Sequence, residues 1–314
     1  MTRSLLRMKR LYAPIAVLAV VSALSILAPA GIIHTQTRNL LEVASTVMPW
    51  SHSGTFTCSN DPNANINAQE RISYFKETAK SLLPMTDKIG SVATPHRYHN
   101  MYGHFLLPFA AHKPDLKFLE IGLGCDMGYG PGASVQVWKK LLPHAELWEA
   151  EYDGECVKKA IEKNQLEGIH TLVGDQGDFN VLDSWIETSG GNFDIIIDDG
   201  GHHNCHINNS LLKLWPQLNP GGYYFIEDMQ VGLHFRFQPV SDQCDNVPMS
   251  EKVSEWQEHL IYQTMNYPGK EYKYPLPEDL VFVHCQAEAC VLHKRASEVN
   301  DPYMYKPKDW EINA

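Results

Sequence analysis

The sequence predicts an α/β fold, a doubly wound, mostly parallel sheet closed at its C-terminal edge by an antiparallel hairpin. Three observations carry this. Five short apolar runs between residues 117 and 226 are separated by amphipathic stretches, and such alternation means parallel strands with helices on both faces. The run Ile195-Ile196-Ile197 has no polar break, which suits a central strand buried on both sides. Finally, residues 280–284 and 290–293 flank a short turn and read as a hairpin.

In chain order, strands are expected over 117–121, 145–150, 169–173, 193–197 and 222–226. Helices are expected over 133–142, 154–165, 180–188 and 203–218. Upstream, residues 64–83 place Ile66, Ile72, Phe75, Ala79, Leu82 and Leu83 near one helical face, with Pro84 as the stop. An aromatic stretch from His96 to Phe109 follows and contains His96, His99 and His104. At helical spacing it reads as a packed helix before a ligand cluster. The domain therefore spans 64–314, with a helical extension over 64–116.

The first 63 residues have a different character. Arg3, Arg7, Lys9 and Arg10 lie in a basic segment, 1–10, and the 23 residues from Leu11 to Ile33 carry no charge. That length crosses a bilayer as a helix, and the flanking charges favour a cytoplasmic N-terminus. The expectation is a signal-anchor over 11–33, a polar stem over 34–63, and a catalytic part facing the lumen or the outside. Ala28-Pro29-Ala30 keeps open a cleaved signal peptide and a secreted product. The seven cysteines form no CxxC pair, which argues against structural zinc. A bridge between Cys285 and Cys290 across the hairpin and two free thiols are both open readings. The chain's sequon, Asn208-Asn209-Ser210, falls within an expected helix beside the site, a poor place for a glycan. The formal charge of −11 at pH 7 argues against nucleic acid as a partner, because phosphate binding needs a basic footprint.

The chemistry gathers at strand ends. Glu120-Ile121-Gly122-Leu123-Gly124 closes the first strand with glycines that let a ligand approach the backbone. The loop then runs on to Gly132, too far for the tight turn and prompt helix of a dinucleotide site. After the second strand, Glu151, or alternatively Glu149, offers a carboxylate to ribose hydroxyls. After the third, Asp175 and Gln176 can reach an adenine amino group. Asp198, Asp199 and His202 leave the fourth strand and Asp228 leaves the fifth. Facing carboxylates repel unless neutralised. A hard cation with oxygen ligands, such as magnesium, would do this, and a histidine beside it can take a proton from a hydroxyl.

From Thr86 to Gln230 the chain resembles the macrolide-sugar O-methyltransferases of the mycinamicin and macrocin type, within the class I S-adenosylmethionine-dependent methyltransferases. The resemblance rests on Thr86-Asp87-Lys88, the Glu120-to-Gly124 loop, Trp138-Lys139, Gly174-Asp175-Gln176, Ile197 to His202, and Pro220 to Gln230. It implies a Rossmann-like fold, with cofactor contacts from Glu120, Gly122, Gly124, Glu151, Asp175, Gln176 and Asp198. It further implies magnesium on Asp199 and Asp228, His202 as general base, and a sugar-containing or small-molecule acceptor. Gly201 departs from the family's usual serine, and the apolar N-terminus from its soluble enzymes. Two rivals remain: a membrane-tethered binding module without activity, and an NAD-dependent oxidoreductase, which lacks support from any Tyr-x-x-x-Lys pair. The aromatic residues Trp256, Tyr262, Tyr267, Tyr272 and Tyr274 read as packing before acceptor pocket.

Overall fold

Seven strands form one mixed sheet in the order β3-β2-β1-β4-β5-β7-β6. They are β1 (Lys117–Ile121), β2 (Glu146–Glu151), β3 (His170–Val173), β4 (Phe193–Asp198), β5 (Leu218–Ile226), β6 (Leu280–Gln286) and β7 (Ala289–Lys294). The first five pair in parallel, and β7 runs antiparallel to both β5 and β6. The computed structural model describes residues 67–90, 96–237, 246–262 and 270–297. The basic segment 1–10, the apolar segment 11–33 and the stem 34–63 lie outside the described residues, as do Cys58, Cys244 and Tyr267. Among the described residues no helix is long and apolar enough to cross a membrane.

Helices cover both faces. On one, Leu119, Trp148, Ile196 and Tyr224 pack against α5 (Phe179–Ser189), α6 (Asn204–Leu214) and α7 (Met249–Tyr262), which contribute Trp185, Leu211 and Trp256. On the other, Phe118, Leu147, Ile195 and Phe225 meet α1 (Ala68–Lys80), α2 (98–112) and α3 (Ala133–Leu141). The remaining helix, α4 (Gly154–Glu162), follows β2. A capping box starts α1, in which the Glu70 N–H donates to Asn67 Oδ1 (3.0 Å) and the Asn67 N–H to Glu70 Oε2 (2.9 Å). The helix α2 comprises Tyr98–Met101, a π-helical stretch Tyr102–Leu106, and Leu107–His112. Gly103 in the π stretch lies so close to α1 that an added Cβ would stand 2.6 Å from the Ile72 side chain. Such bulges recur at functional sites, and this one carries Tyr102 towards the ends of the strands.

Several boundaries differ from the sequence expectation: α1 ends at Lys80 and β5 begins at Leu218, and two helix ends have a local cause. Helix α6 ends at Leu214, short of 218, because Pro216 has no N–H to continue the ladder and disfavours helix just before it. Helix α4 ends at Glu162, where Asn164 takes a left-handed conformation with φ 57° and turns the chain. Trp256 and Tyr274 are buried in the core, and Tyr272 stacks on His259 at 4.2 Å, so these three aromatics pack, as read.

Candidate active site

The loops after β1 to β5 converge on a cavity of about 780 Å³, at the carboxyl ends of the strands where open parallel sheets take ligands. Gly122, Gly124, Glu151, Asp175, Gln176, Asp199, His202 and Asp228 all line it. Gly122 has no room for a side chain: at φ +110° an added Cβ would stand 2.1 Å from the Asp199 carbonyl oxygen. The glycine turn therefore lets the first and fourth strand ends meet at the cavity floor. Glu151 holds the neighbouring loops, its carboxylate accepting from the N–H groups of Asp153 (3.0 Å) and Cys125 (3.4 Å).

Two of the residues expected to touch a cofactor stand behind the cavity wall and do not line it. Asp198 is buried and accepts from Gln176 Nε2 at 2.9 Å and from Ser210 Oγ at 2.5 Å. It thereby orients Gln176, whose Oε1 accepts from the Gly201 N–H (2.8 Å). Glu120 is also buried, and its Oε2 accepts from Ser134 Oγ (2.6 Å) and Trp138 Nε1 (2.8 Å). Strand alternation explains this: Glu120 shares a face with Phe118, turned towards α3.

Glu149, the alternate ribose ligand, pairs with Glu120 in register and is buried, away from the cavity lining. Burial and the adjacent Glu120 push its carboxyl well above the usual range, so this group favours the folded state when protonated. With a folded pKa raised above the unfolded one, its contribution is present below the unfolded pKa and is lost as pH rises through the folded pKa. Glu149→Gln mimics the protonated form. It should melt with the wild type at about pH 4 and progressively above it as pH rises towards 8; parallel thermal melts across that range check this.

A disulfide joins Cys125, in the glycine loop, to Cys156 in the first turn of α4, with a Cα–Cα distance of 6.1 Å. It spans the two loops that flank Glu151, a link invisible in the spacing of the cysteines. Cys285 and Cys290 are also bridged, which decides between the two open readings, and Cys205 is disulfide-bonded as well. Opening the first bridge in a Cys125→Ser/Cys156→Ser variant should cost about 3–4 kcal/mol for a closure of this length. It should also weaken cofactor binding about tenfold by loosening a preorganised loop. Denaturant titration and calorimetry measure the two effects.

The chemical centre is a compact cluster. Among the described residues, Asp199, His202 and Asp228 each present a ligand atom, all within 4.8 Å of one another. His202 and Asp228 both have left-handed backbones, φ 54° and 51°, and such strain collects where function holds it in place. Behind them sits Lys88, which sequence reasoning noted within a motif but gave no role. Its buried Nζ lies 3.0 Å from Glu120 Oε1, 2.8 Å from Asp199 Oδ2 and 2.7 Å from Glu227 Oε2. Burial works against the ammonium, yet Asp199, Glu120 and Glu227 together hold its pKa well above the lysine range. The other Glu227 oxygen accepts a short hydrogen bond from Tyr102. The signal for Lys88 was available: carboxylates leaving three neighbouring strands need a cation. The chain supplies one internally, and both Asp199 and Asp228 line the cavity, Asp228 Oδ1 accepting from Gln230 Nε2 (2.7 Å). Oxygen donors at this spacing fit a small divalent cation.

The remaining histidines divide. His202 and His203 precede α6, which starts at Asn204, so His202 and His206 share no helical face. The rings of His203 and His206 lie 4.8 Å apart on the cavity wall. His99 is buried and His104 exposed, whereas His96 lines the cavity. Asn208 of the sequon is buried with its Nδ2 donating to the Val247 carbonyl (3.2 Å), a position closed to a glycan.

This sheet order with its terminal hairpin is the class I methyltransferase fold. No family model matches the chain. Within that class it is related to sugar O-methyltransferases. It is 38% identical over 118 residues to the mycinamicin VI 2''-O-methyltransferase of Micromonospora griseorubida, covering 36% of this chain and 27% of that protein. It is 33% identical over 151 residues to the demethylmacrocin O-methyltransferase of Streptomyces fradiae, covering 46% and 34%. The solved structure of MycE methyltransferase with Mg, SAH and mycinamycin VI aligns with a TM-score of 0.55 at 24% identity, over 81% of this chain and 58% of that one. The chain thus spans about a quarter to a third of the length of these two curated relatives.

Proposed function

We propose that this protein transfers the methyl group of S-adenosylmethionine to a hydroxyl of a sugar-containing or small-molecule acceptor, with assistance from a divalent cation. The observation that carries this reading is the Asp199–His202–Asp228 cluster lining the glycine-closed cavity. The relatives of known activity act on sugar hydroxyls, and a related structure holds magnesium.

In this reading the turn at Gly122 and Gly124 receives the methionine end, Glu151 the ribose, and Asp175 with Gln176 the base. Glu120 and Asp198 act from behind, one through Ser134 and Trp138, the other through Gln176. Asp199 and Asp228 would hold a cation, which when bound supplies positive charge beside the acceptor oxygen. His202 takes the hydroxyl proton. The oxygen then forms a bond to the methyl carbon as the carbon–sulfur bond breaks, and the sulfonium becomes a neutral thioether. The enclosed site contributes chiefly by holding oxygen, carbon and sulfur in line.

Cys125–Cys156, Cys285–Cys290 and a disulfide-bonded Cys205 support an oxidising compartment. With the apolar segment 11–33, this fits a tethered or secreted enzyme with its catalytic part lumenal or extracellular. The test is a transfer assay with methyl-labelled S-adenosylmethionine, the full chain and a panel of glycosides and small hydroxylated compounds. Label should reach a glycoside and fall away with chelator. A chain that binds the cofactor but labels nothing with metal present favours the binding-module alternative.

A further inference from the structure

We propose that His206 is a second reader of the cofactor's adenine, its Nε2–H donating to a ring nitrogen beside the amino group that Asp175 accepts. This rests on placing the adenine at Asp175. Gln176 bounds the same pocket, but its amide is already engaged. Its Nε2 donates to Asp198 Oδ1 (2.9 Å) and Ser210 Oγ (3.3 Å), and its Oε1 accepts from the Gly201 N–H (2.8 Å). An amide carries two donor hydrogens, so Gln176 has none left for a ligand. The side-chain donor that completes the pocket has to be another group, and His206 lines the cavity beside Asp175.

The fold makes a seat for this imidazole. His206 stands in the first turn of α6, and two neighbouring turns leave room for its ring. An added Cβ at Gly177, after β3, would stand 2.6 Å from His206 Cδ2, and one at Gly201, after β4, 2.7 Å from its Nδ1. Asn209 Nδ2 donates to the Gly177 carbonyl (2.7 Å) and so pins α6 to the turn after β3. The His203 ring lies 4.8 Å from His206 and 5.3 Å from Phe237, and all three line the cavity.

Asp175 is oriented as well. Its Oδ1 accepts from the Gly177 N–H (2.7 Å), which leaves Oδ2 for a ligand's amino group. His206 Nε2 lies 3.9 Å from Asp175 Oδ1, too far for a direct hydrogen bond, so both groups keep capacity for a third molecule. The nearby carboxylate favours the tautomer whose N–H faces it, which puts the proton on Nε2. An acceptor and a donor therefore stand side by side on the cavity wall. Adenine displays the complement, an amino donor next to a ring-nitrogen acceptor. A 6-oxo purine would instead set its carbonyl oxygen against the Asp175 carboxylate.

The test needs no acceptor. Calorimetry on the full chain compares S-adenosylhomocysteine with its 1-deaza and 7-deaza analogues, each of which replaces one ring nitrogen beside the amino group with C–H. The wild type should bind at least one analogue about tenfold or more weakly than the parent, the usual worth of a donor left unpaired. His206→Phe keeps an aromatic ring and removes the N–H. It should weaken the parent by about the same factor and bind that analogue as it binds the parent. His206→Ala should lose the same preference and serves if phenylalanine disturbs the seat. Both variants should still reject S-inosylhomocysteine, the 6-oxo compound, which the wild type should bind at least about a hundredfold more weakly than the parent. A wild type indifferent to both deaza analogues, or preferences that persist undiminished in His206→Phe and His206→Ala, would overturn the proposal. Equal binding of S-inosylhomocysteine and S-adenosylhomocysteine by the wild type would instead overturn the placement of the adenine at Asp175 beneath it.

Discussion

Replacing His202 should reduce methyl transfer by about 10²–10⁴-fold, the usual worth of a positioned general base, while cofactor binding stays within about twofold. The choice of replacement matters. His202 sits at φ 54°, where any side chain with a Cβ bears a strain of about 1–2 kcal/mol and asparagine bears it best. His202→Asn therefore separates chemistry from backbone. It removes the base and keeps the turn that sets Asp199 and Asp228 beside it. His202→Ala should show the same loss of turnover with a lower melting temperature in addition. Single-turnover rates and S-adenosylhomocysteine calorimetry on both variants check this. Equal loss of binding and turnover in His202→Asn would assign His202 to the architecture of the cavity and remove it from the chemistry.

The largest effect on stability is expected at Lys88. Its ammonium lies within 3.0 Å of Glu120, Asp199 and Glu227 and is almost wholly buried. Lys88→Met keeps most of the volume and leaves these carboxylates without their counter-ion. Breaking a buried ion pair from one side costs about 3–5 kcal/mol, which for a domain of this size lowers the melting temperature by roughly 6–20 °C. The defect should depend on pH with a definite sign. Without Lys88, burial and mutual repulsion raise the folded-state pKa of the remaining carboxylates. A group raised in the folded state stabilises below its unfolded pKa and ceases to do so as pH rises through the folded one. The gap between variant and wild type should therefore be widest near pH 8 and narrow towards about pH 4.5. A gap that stays constant with pH would mean that Lys88 acts through packing alone. Because Asp199 Oδ2 is held by Lys88, the variant should also bind divalent cations with altered affinity even where it remains folded.

Much of this architecture was legible in the sequence because its signals are local. Apolar runs with no polar break at 195–197 fixed a central strand, and the glycines after Ile121 marked the turn that meets Asp199. The errors at helix ends were local too: Pro216 lay within the expected helix 203–218 and was present to be read. What stayed hidden depends on contacts between distant segments. The partner of Cys125 is 31 residues away, and nothing in the cysteine spacing selects Cys156. Lys88 meets Asp199 and Glu227 across separations of 111 and 139 residues, so charge neutralisation was foreseen at this site without its internal source. Glu120 and Asp198 were expected to touch a ligand because they border the right turns. Strand alternation and hydrogen bonding place them instead as supports for Trp138, Ser134 and Gln176. His96 shares its histidine-rich stretch with His99 and His104, and only the fold separates the residue at the cavity from its neighbours.

The central claim is that the cavity is built for the cofactor of methyl transfer, and calorimetric titration of the full chain with S-adenosylhomocysteine tests it most directly. The wild type should bind at one saturable site, Glu151→Ala should raise the dissociation constant about tenfold or more through loss of charged hydrogen bonds, and NADH should give no heat. A wild type that gives no heat with S-adenosylhomocysteine, or that binds NADH in its place, would contradict the account.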